Sequence, residues 1–225
     1  YSTQSQSGVI RAFDVNTGAL VWNWDSGNPT ATAPIAADQT YTANSPNSWS
    51  IFSVDEALGL VYIPLGNQVP DQLGMNRSEN VEKYSSSIVA LDVDTGRDRW
   101  VRQTVHHDLW DMDVPAQPVL LDMANADGQL VPALVGPTKQ GDIYVLDRRT
   151  GEPVLPVREV PAPRMSAPIA MRHSARSTIS GSHAAVFSTV TPLASTAASM
   201  ACSVAPTDTN GNSISAPFSP PGAVA

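Results

Sequence analysis

The residues best suited to chemistry lie in a short segment near the middle of the chain. From His106 to Asp113 it reads His-His-Asp-Leu-Trp-Asp-Met-Asp. If this segment is extended, Asp111 and Asp113 lie on one face and Trp110 and Met112 on the other. Paired acids beside an indole suit a cation or a general base in a partly apolar pocket. The alternative is that the acids are solvated or cap turns where a strand begins.

The two adjacent imidazoles do not favour a transition-metal site. Neighbouring residues of a strand face opposite sides, so His106 and His107 would point apart. No other His or Cys of the sequence stands at ligand spacing from them. We therefore expect no metal at these two residues.

Two residues elsewhere could also take part in chemistry. Trp49 lies in the polar segment Ser45–Ser50, where an indole could serve as a stacking platform. Lys139 lies in Gly136–Gly141, a connection that contains Gly and Pro. Considered alone, a lysine in such a loop is a solvated charge.

These residues are surrounded by a sequence repeat. Val9–Trp22 is matched position for position by Ser87–Trp100, and Asp142–Gly151 keeps the first half of the pattern. Each copy predicts a strand, an Asp-x-x-Thr-Gly turn and a second strand. Four-stranded meanders that recur every ~40–60 residues are typical of β-propeller blades. Further strands are predicted at Gly59–Pro64, Pro118–Leu121 and Leu130–Val135.

The repeat has its own aromatic and acidic residues. Trp22 and Trp100 each follow the turn glycine by four residues. An aromatic that recurs at one repeat position indicates packing between neighbouring blades and not catalysis. The turn aspartates Asp14, Asp92 and Asp147 are expected to accept N–H bonds within their turns.

Composition and charge narrow the class of protein. The 225 residues are 42% hydrophobic and 15% charged, with 19 Pro and 14 Gly, which describes a turn-rich globular chain without long helices. A formal net charge of −8 lacks the basic surface that binds nucleic acid or anionic membranes. No apolar run approaches the ~20 residues that cross a bilayer. The single Cys202 cannot form an internal disulfide.

Two regions depart from the repeat. Asn67–Ser86 is a polar insertion that we expect on one rim of the ring. From Arg164 onward Ser, Ala, Thr and Pro dominate and the repeat is lost. The predicted organisation is a partial propeller over residues 1–163 and a low-complexity tail over residues 164–225. The tail is expected to be disordered, a linker or stalk, or encoded out of frame.

The repeats, the Val105–Pro118 segment and the Pro137–Asp147 segment together resemble the pyrroloquinoline-quinone-dependent dehydrogenases. The similarity runs from about Ser7 to Pro163. Within the family it is strongest to the membrane-bound quinoprotein glucose dehydrogenases. The resemblance implies an all-β, eight-bladed propeller of which this chain supplies about three four-stranded blades. We therefore expect the chain to be a fragment that is inactive alone.

The resemblance also implies roles for four residues. Asp111, in Leu-Trp-Asp-Met, matches the catalytic carboxylate. Lys139, in Pro-Thr-Lys-Gln-Gly, matches the lysine at the quinone oxygens, and Trp49, in Pro-Asn-Ser-Trp, matches the tryptophan on which the flat cofactor stacks. Asn67, in Leu-Gly-Asn-Gln, stands where related alcohol dehydrogenases offer an amide oxygen to Mg²⁺ or Ca²⁺.

By the same resemblance, the expected reaction is oxidation of glucose to gluconolactone with pyrroloquinoline quinone. Electrons would pass to ubiquinone at the periplasmic face of the inner membrane, and a region N-terminal to this chain would make the membrane contact. Quinate or a polyol is the alternative substrate. The alternative from another class is a non-enzymatic propeller scaffold of the outer-membrane assembly type. A scaffold gives no reason for Trp49, Asp111 and Lys139 to converge.

Overall fold

The computed structural model describes residues 6–161 and 175–179. Within those ranges the structure consists of short strands and one short helix. The strands are β1 Ile10–Phe13, β2 Leu20–Trp24, β3 Ser53–Asp55, β4 Leu60–Pro64, β5 Ser87–Asp92, β6 Asp98–Gln103, β7 Val119–Ala124, β8 Leu130–Pro137, β9 Ile143–Asp147, β10 Val157–Pro161 and β11 Ala175–Ile179, and the helix is α1 Glu79–Tyr84. None of the described residues forms a helix of the length and apolarity needed to span a bilayer.

The strands form antiparallel sheets in chain order. The first sheet is β1–β2, the second is β3–β4–β5–β6, and the third is β7–β8–β9, while β10 pairs with β11. Each is a meander of neighbouring strands, as in propeller blades. The hairpins predicted from the two full repeats are present as β1–β2 and β5–β6. The all-β prediction is therefore confirmed.

Of the first three sheets, only the second has the expected four strands. Residues 25–52 follow β2 and form turns and irregular backbone instead of a second hairpin. In the third sheet the place of the fourth strand is taken by a short segment in which Pro153 makes an isolated bridge to Leu146. Proline has no N–H to donate to a ladder, so the pairing does not extend there.

The repeat turns are closed by aspartate carboxylates and by glycines. Asp14 Oδ1 accepts from the backbone N of Asn16 at 3.0 Å and of Thr17 at 2.8 Å. Asp92 Oδ1 accepts from Thr95 N at 3.0 Å in the second copy. The glycine that ends the first turn, Gly18, has a φ of 70°, which favours a residue without a Cβ. The structural role predicted for these aspartates is confirmed.

Trp22 and Trp100 lie between successive sheets. Trp22 of β2 donates from Nε1 to Val93 O, in the β5–β6 turn, at 2.7 Å. Trp100 of β6 donates to Arg148 O, in the turn after β9, at 3.1 Å. Each tryptophan of one sheet therefore docks on a turn of the next sheet, and the packing role predicted for both is confirmed.

The second sheet is buried on both faces. Val61 and Ile63 of β4 pack in a cluster with the first sheet, whereas Leu60 and Tyr62 pack in a cluster with the third. Alternate residues of a strand point to opposite faces, so β4 contributes to both clusters. One core therefore joins the first and second sheets, and the other joins the second and third.

Candidate active site

The candidate site is formed by loops of the second and third sheets. Trp49 precedes β3 and Asn67 follows β4, while Asp111 and Asp113 precede β7 and Lys139 follows β8. In an antiparallel meander the start of the first strand and the end of the second lie at the same end of the sheet. Because the two sheets lie side by side, the five residues gather at one end of both.

The ammonium of Lys139 bridges two carboxylates. Its Nζ donates to Asp111 Oδ1 at 3.1 Å and to Asp113 Oδ2 at 2.7 Å. The same Nζ lies 5.5 Å from the centroid of the Trp49 ring. The structure thus brings together Trp49, Asp111 and Lys139, the three residues whose convergence the sequence analysis predicted.

The two carboxylates differ in what can reach them. The side chain of Asp111 is 37% exposed, whereas that of Asp113 is 9% exposed. Asp113 also accepts from Asn67 N at 2.8 Å and from Trp49 Nε1 at 3.1 Å. Asp111 is therefore the carboxylate that a substrate could contact, and Asp113 is enclosed by the protein.

Burial and neighbouring charges shift the acidity of the site. Burial raises the pKa of Asp111, the hydrogen bond from Lys139 opposes that rise, and the charge of Asp113 adds to it. Burial alone would lower the pKa of Lys139, but its bonds to Asp113 and Asp111 raise that pKa. The site therefore combines a stably protonated lysine with a carboxylate more basic than an ordinary aspartate.

The backbone holds Asp111 in an uncommon conformation, with a φ of 62°. The buried carboxylate of Asp108 accepts from Trp110 N at 2.8 Å and from Met112 N at 2.6 Å. These bonds hold the backbone N–H groups of the residues before and after Asp111. The segment is not a strand, so the alternation expected of an extended segment does not apply.

The polar insertion Asn67–Ser86 is hydrogen-bonded to this loop. Arg77 Nη2 and Asn67 Nδ2 donate to Asp108 O at 2.7 Å and 3.0 Å. Ser86 Oγ donates to the Asp108 carboxylate at 2.6 Å. The insertion predicted to lie on one rim thus packs against the loop that carries Asp111.

Asn67 lies at the site, but its amide is used within the protein. Nδ2 donates to Asp71 O at 2.6 Å as well as to Asp108 O, and Oδ1 accepts from Gln68 N at 2.9 Å. Among the described residues, no three or more His, Cys, Asp or Glu side chains are arranged to hold a metal ion. The metal-ligand role of Asn67 stays a prediction.

Trp49 presents an aromatic surface beside these charges. The residue is 55% exposed, and its Nε1 is tied to Asp113. An indole held at its nitrogen, with a lysine ammonium and a carboxylate nearby, suits a flat group that carries oxygen atoms. The arrangement can stack such a group, stabilise negative charge on it and accept a proton next to it.

Asp113 is the residue of this cluster that the sequence analysis paired with Asp111 but to which it gave no role of its own. Its only signal was its place two residues after Asp111 in the acidic segment. Its contact with Trp49, 64 residues earlier in the chain, appears only in the folded structure.

The sequence matches a known protein family and several curated relatives. The PQQ family model, described as the glucose/ethanol/alcohol dehydrogenase β-propeller domain, matches residues 1–208. The chain is 51% identical over 168 residues to the quinoprotein glucose dehydrogenase of Gluconobacter oxydans, an alignment that covers 74% of this chain and 21% of that protein. It is 50% identical over 157 residues to the glycerol dehydrogenase large subunit of the same organism, covering 70% of this chain and 21% of that protein.

A solved structure supports the same fold. The quinohemoprotein alcohol dehydrogenase of Comamonas testosteroni superposes with a TM-score of 0.55 at 26% identity, covering 67% of this chain and 25% of that chain. The partial-propeller prediction is confirmed. The chain spans about a fifth of the length of the curated relatives it matches.

Proposed function

Since this chain belongs to the pyrroloquinoline-quinone-dependent glucose/ethanol/alcohol dehydrogenase β-propeller family, we propose that it forms part of an enzyme that oxidises glucose to gluconolactone. The observation that carries the proposal is the meeting of Trp49, Asp111 and Lys139 at one end of two neighbouring sheets. A non-enzymatic scaffold would need the blades but not this convergence.

Asp111 is proposed to remove the proton of the sugar C1 hydroxyl. A bound pyrroloquinoline quinone would supply the acceptor for the hydride that leaves C1, so that the substrate would lose one proton to Asp111 and one hydride in all. A carboxylate has about four lone-pair sites, so the Lys139 bond leaves Asp111 able to accept a further hydrogen bond. The raised pKa of Asp111 makes it a stronger base than an ordinary aspartate.

Lys139 and Trp49 are proposed to hold the cofactor. The ammonium of Lys139 lies near both the Trp49 ring and Asp111, where it can stabilise negative charge that develops on an oxygen atom. The Trp49 ring can stack against a planar group and exclude water from one of its faces.

The finer parts of the proposal concern the whole protein. A Mg²⁺ or Ca²⁺ ion with Asn67 as one oxygen ligand follows from the family resemblance, and no step of the mechanism is derived through it. Transfer of electrons to ubiquinone at the periplasmic face of the inner membrane also follows from the family resemblance. A polyol is the second candidate substrate because a glycerol dehydrogenase is among the relatives, and quinate is the third.

The test is a chimeric holoenzyme in which this chain's residues 6–161 replace the matching segment of the Gluconobacter oxydans glucose dehydrogenase. With added quinone and Mg²⁺ we expect dye reduction with glucose.

Asp111→Asn in this chimera should lower kcat by about 10²–10⁴-fold while quinone binding persists. Asp127→Asn, an exposed carboxylate in the β7–β8 turn, is the matched control. Normal turnover by Asp111→Asn would remove Asp111 from the mechanism, and turnover with only glycerol or quinate would overturn the choice of glucose.

A further inference from the structure

Asp113 joins loops that come from two different sheets. Trp49 and Asn67 lie in loops of the second sheet, whereas Asp113 and Lys139 lie in loops of the third. Oδ2 of Asp113 accepts from Trp49 Nε1 at 3.1 Å and from Lys139 Nζ at 2.7 Å. Oδ1 accepts from Asn67 N at 2.8 Å. A single carboxylate therefore binds three partners, of which Trp49 and Asn67 lie across the junction and Lys139 lies on its own side.

The surroundings of Asp113 fit a holding role better than a reacting one. Its side chain is only 9% exposed. Gly66 allows the close approach, because a Cβ atom at Gly66 would lie 2.9 Å from Asp113 Oδ1. Hydrogen bonds to a charged, buried carboxylate are stronger than those between neutral groups at the surface. Asp113 is therefore a firm anchor that a substrate does not reach.

The two groups that Asp113 holds have few other restraints. Trp49 is more than half exposed, and Lys139 ends a flexible chain whose other carboxylate partner is the more exposed Asp111. We propose that Asp113 is a positioning residue that fixes the indole of Trp49 and the ammonium of Lys139 in the arrangement that binds the quinone. The quinone part of this inference rests on the proposed function.

Asp113→Asn is the informative variant because it keeps the size of the side chain and removes its charge. Asp55→Asn is the matched control. The Asp55 side chain is 8% exposed and pairs with Arg148, which also joins the second and third sheets. Both variants replace a buried carboxylate between the same sheets with a neutral amide, but only Asp113→Asn does so at the contacts to Trp49 and Lys139.

The first measurement needs no quinone. The sequence contains two lysines, Lys83 and Lys139, and their acylation rates in the 225-residue chain can be followed by peptide mass spectrometry. Because Asp113 favours the charged form of Lys139, Asp113→Asn should speed acylation of Lys139 by at least about threefold while Lys83 is unchanged. Equal rates for Lys139 in wild type and Asp113→Asn would overturn the holding role. Acceleration at both lysines would indicate general unfolding and would also count against it.

The second measurement uses the chimeric holoenzyme. Asp113→Asn should raise the Kd for pyrroloquinoline quinone by at least about tenfold, with a smaller fall in kcat at saturating quinone. Asp55→Asn should change this Kd by less than about twofold. Wild-type affinity in Asp113→Asn, or an equal loss in Asp55→Asn, would overturn the inference. If the wild-type chimera binds no quinone, the proposed function fails, and the lysine rates still decide whether Asp113 holds Lys139.

Discussion

The carboxylate of Asp111 is subject to opposing influences. Burial and the nearby charge of Asp113 favour its neutral form, whereas the hydrogen bond from Lys139 favours its ionised form. The net result is a raised pKa. A base must be ionised to accept a proton, so the surroundings that raise the pKa of Asp111 would also restrict the pH range in which it could act as the proposed base.

This balance predicts the acid limb of the pH profile. The rate should be maintained above the folded-state pKa of Asp111, which lies above its ordinary value of 3.8, and should fall as pH drops through it. Lys139→Gln removes the interaction that opposes the rise, so the midpoint should move to still higher pH. The measurement is kcat against pH in the chimeric holoenzyme at saturating quinone. A midpoint that moves to lower pH in Lys139→Gln would contradict this account, and Asp127→Asn should leave it unchanged.

Short sequence motifs predicted more of the candidate site than the spacing between pairs of residues did. Trp49, Asp111 and Lys139 each stand in a short motif that the family resemblance identifies, so their meeting could be predicted. The different environments of Asp111 and Asp113 could not be predicted, because both are aspartates and they stand only two residues apart in the sequence. Their difference depends on backbone conformation and on contacts with distant loops.

At the scale of the elements, the second and third repeat turns each serve as the docking surface for a tryptophan of the preceding sheet. The Trp22 ring packs on Gly96, and the Trp100 ring packs on Gly151. Both glycines have positive φ values of 69° and 74°. The glycine of the motif therefore meets two demands, a left-handed turn and room for an indole.

The two demands can be separated by a pair of alanine variants. Gly96 and Gly18 have φ values of 69° and 70°, but a Cβ at Gly96 would lie 2.5 Å from Trp22 Cε3, whereas one at Gly18 meets nothing within 4 Å. Both changes carry the left-handed cost of about 1–2 kcal/mol, and Gly96→Ala adds an overpacking cost of about 1–3 kcal/mol. In urea unfolding of the chimera, Gly96→Ala should lose at least about 1 kcal/mol more than Gly18→Ala. Equal losses would show that the indole does not need this space.

The repeat predicted the elements best where its full pattern is present. Two copies that keep Asp, Gly and Trp form the hairpins β1–β2 and β5–β6. The third copy has Glu152–Pro153 instead of a second strand, and the backbone makes only a bridge there. Helix α1 and the irregular segment 25–52 have no repeat pattern, and their conformations depend on packing against other parts of the chain.

At the scale of the whole molecule, the site depends on neighbouring sheets more than on any one of them. The second sheet has a neighbour on each face, and the site lies where its loops meet those of the third. A propeller closes its ring so that every blade has two such neighbours. A planar cofactor between Trp49 and the rest of a ring would therefore need surfaces that the described sheets do not supply. The predicted tail, residues 164–225, lies outside the described residues apart from β11.

The isolated 225-residue chain should therefore show no quinone-dependent dye reduction with glucose. Its second and third sheets supply the loops that carry Trp49, Asp111 and Lys139, but oriented contacts on all sides of the reacting groups contribute much of an enzyme's rate. The same residues within the chimeric holoenzyme should restore turnover, which controls for damage to Trp49, Asp111 or Lys139 themselves. Measurable turnover by the isolated chain would mean that these two sheets suffice for catalysis. An inactive chimera that nevertheless binds quinone would place the defect in the chemistry of these loops and not in the missing sheets.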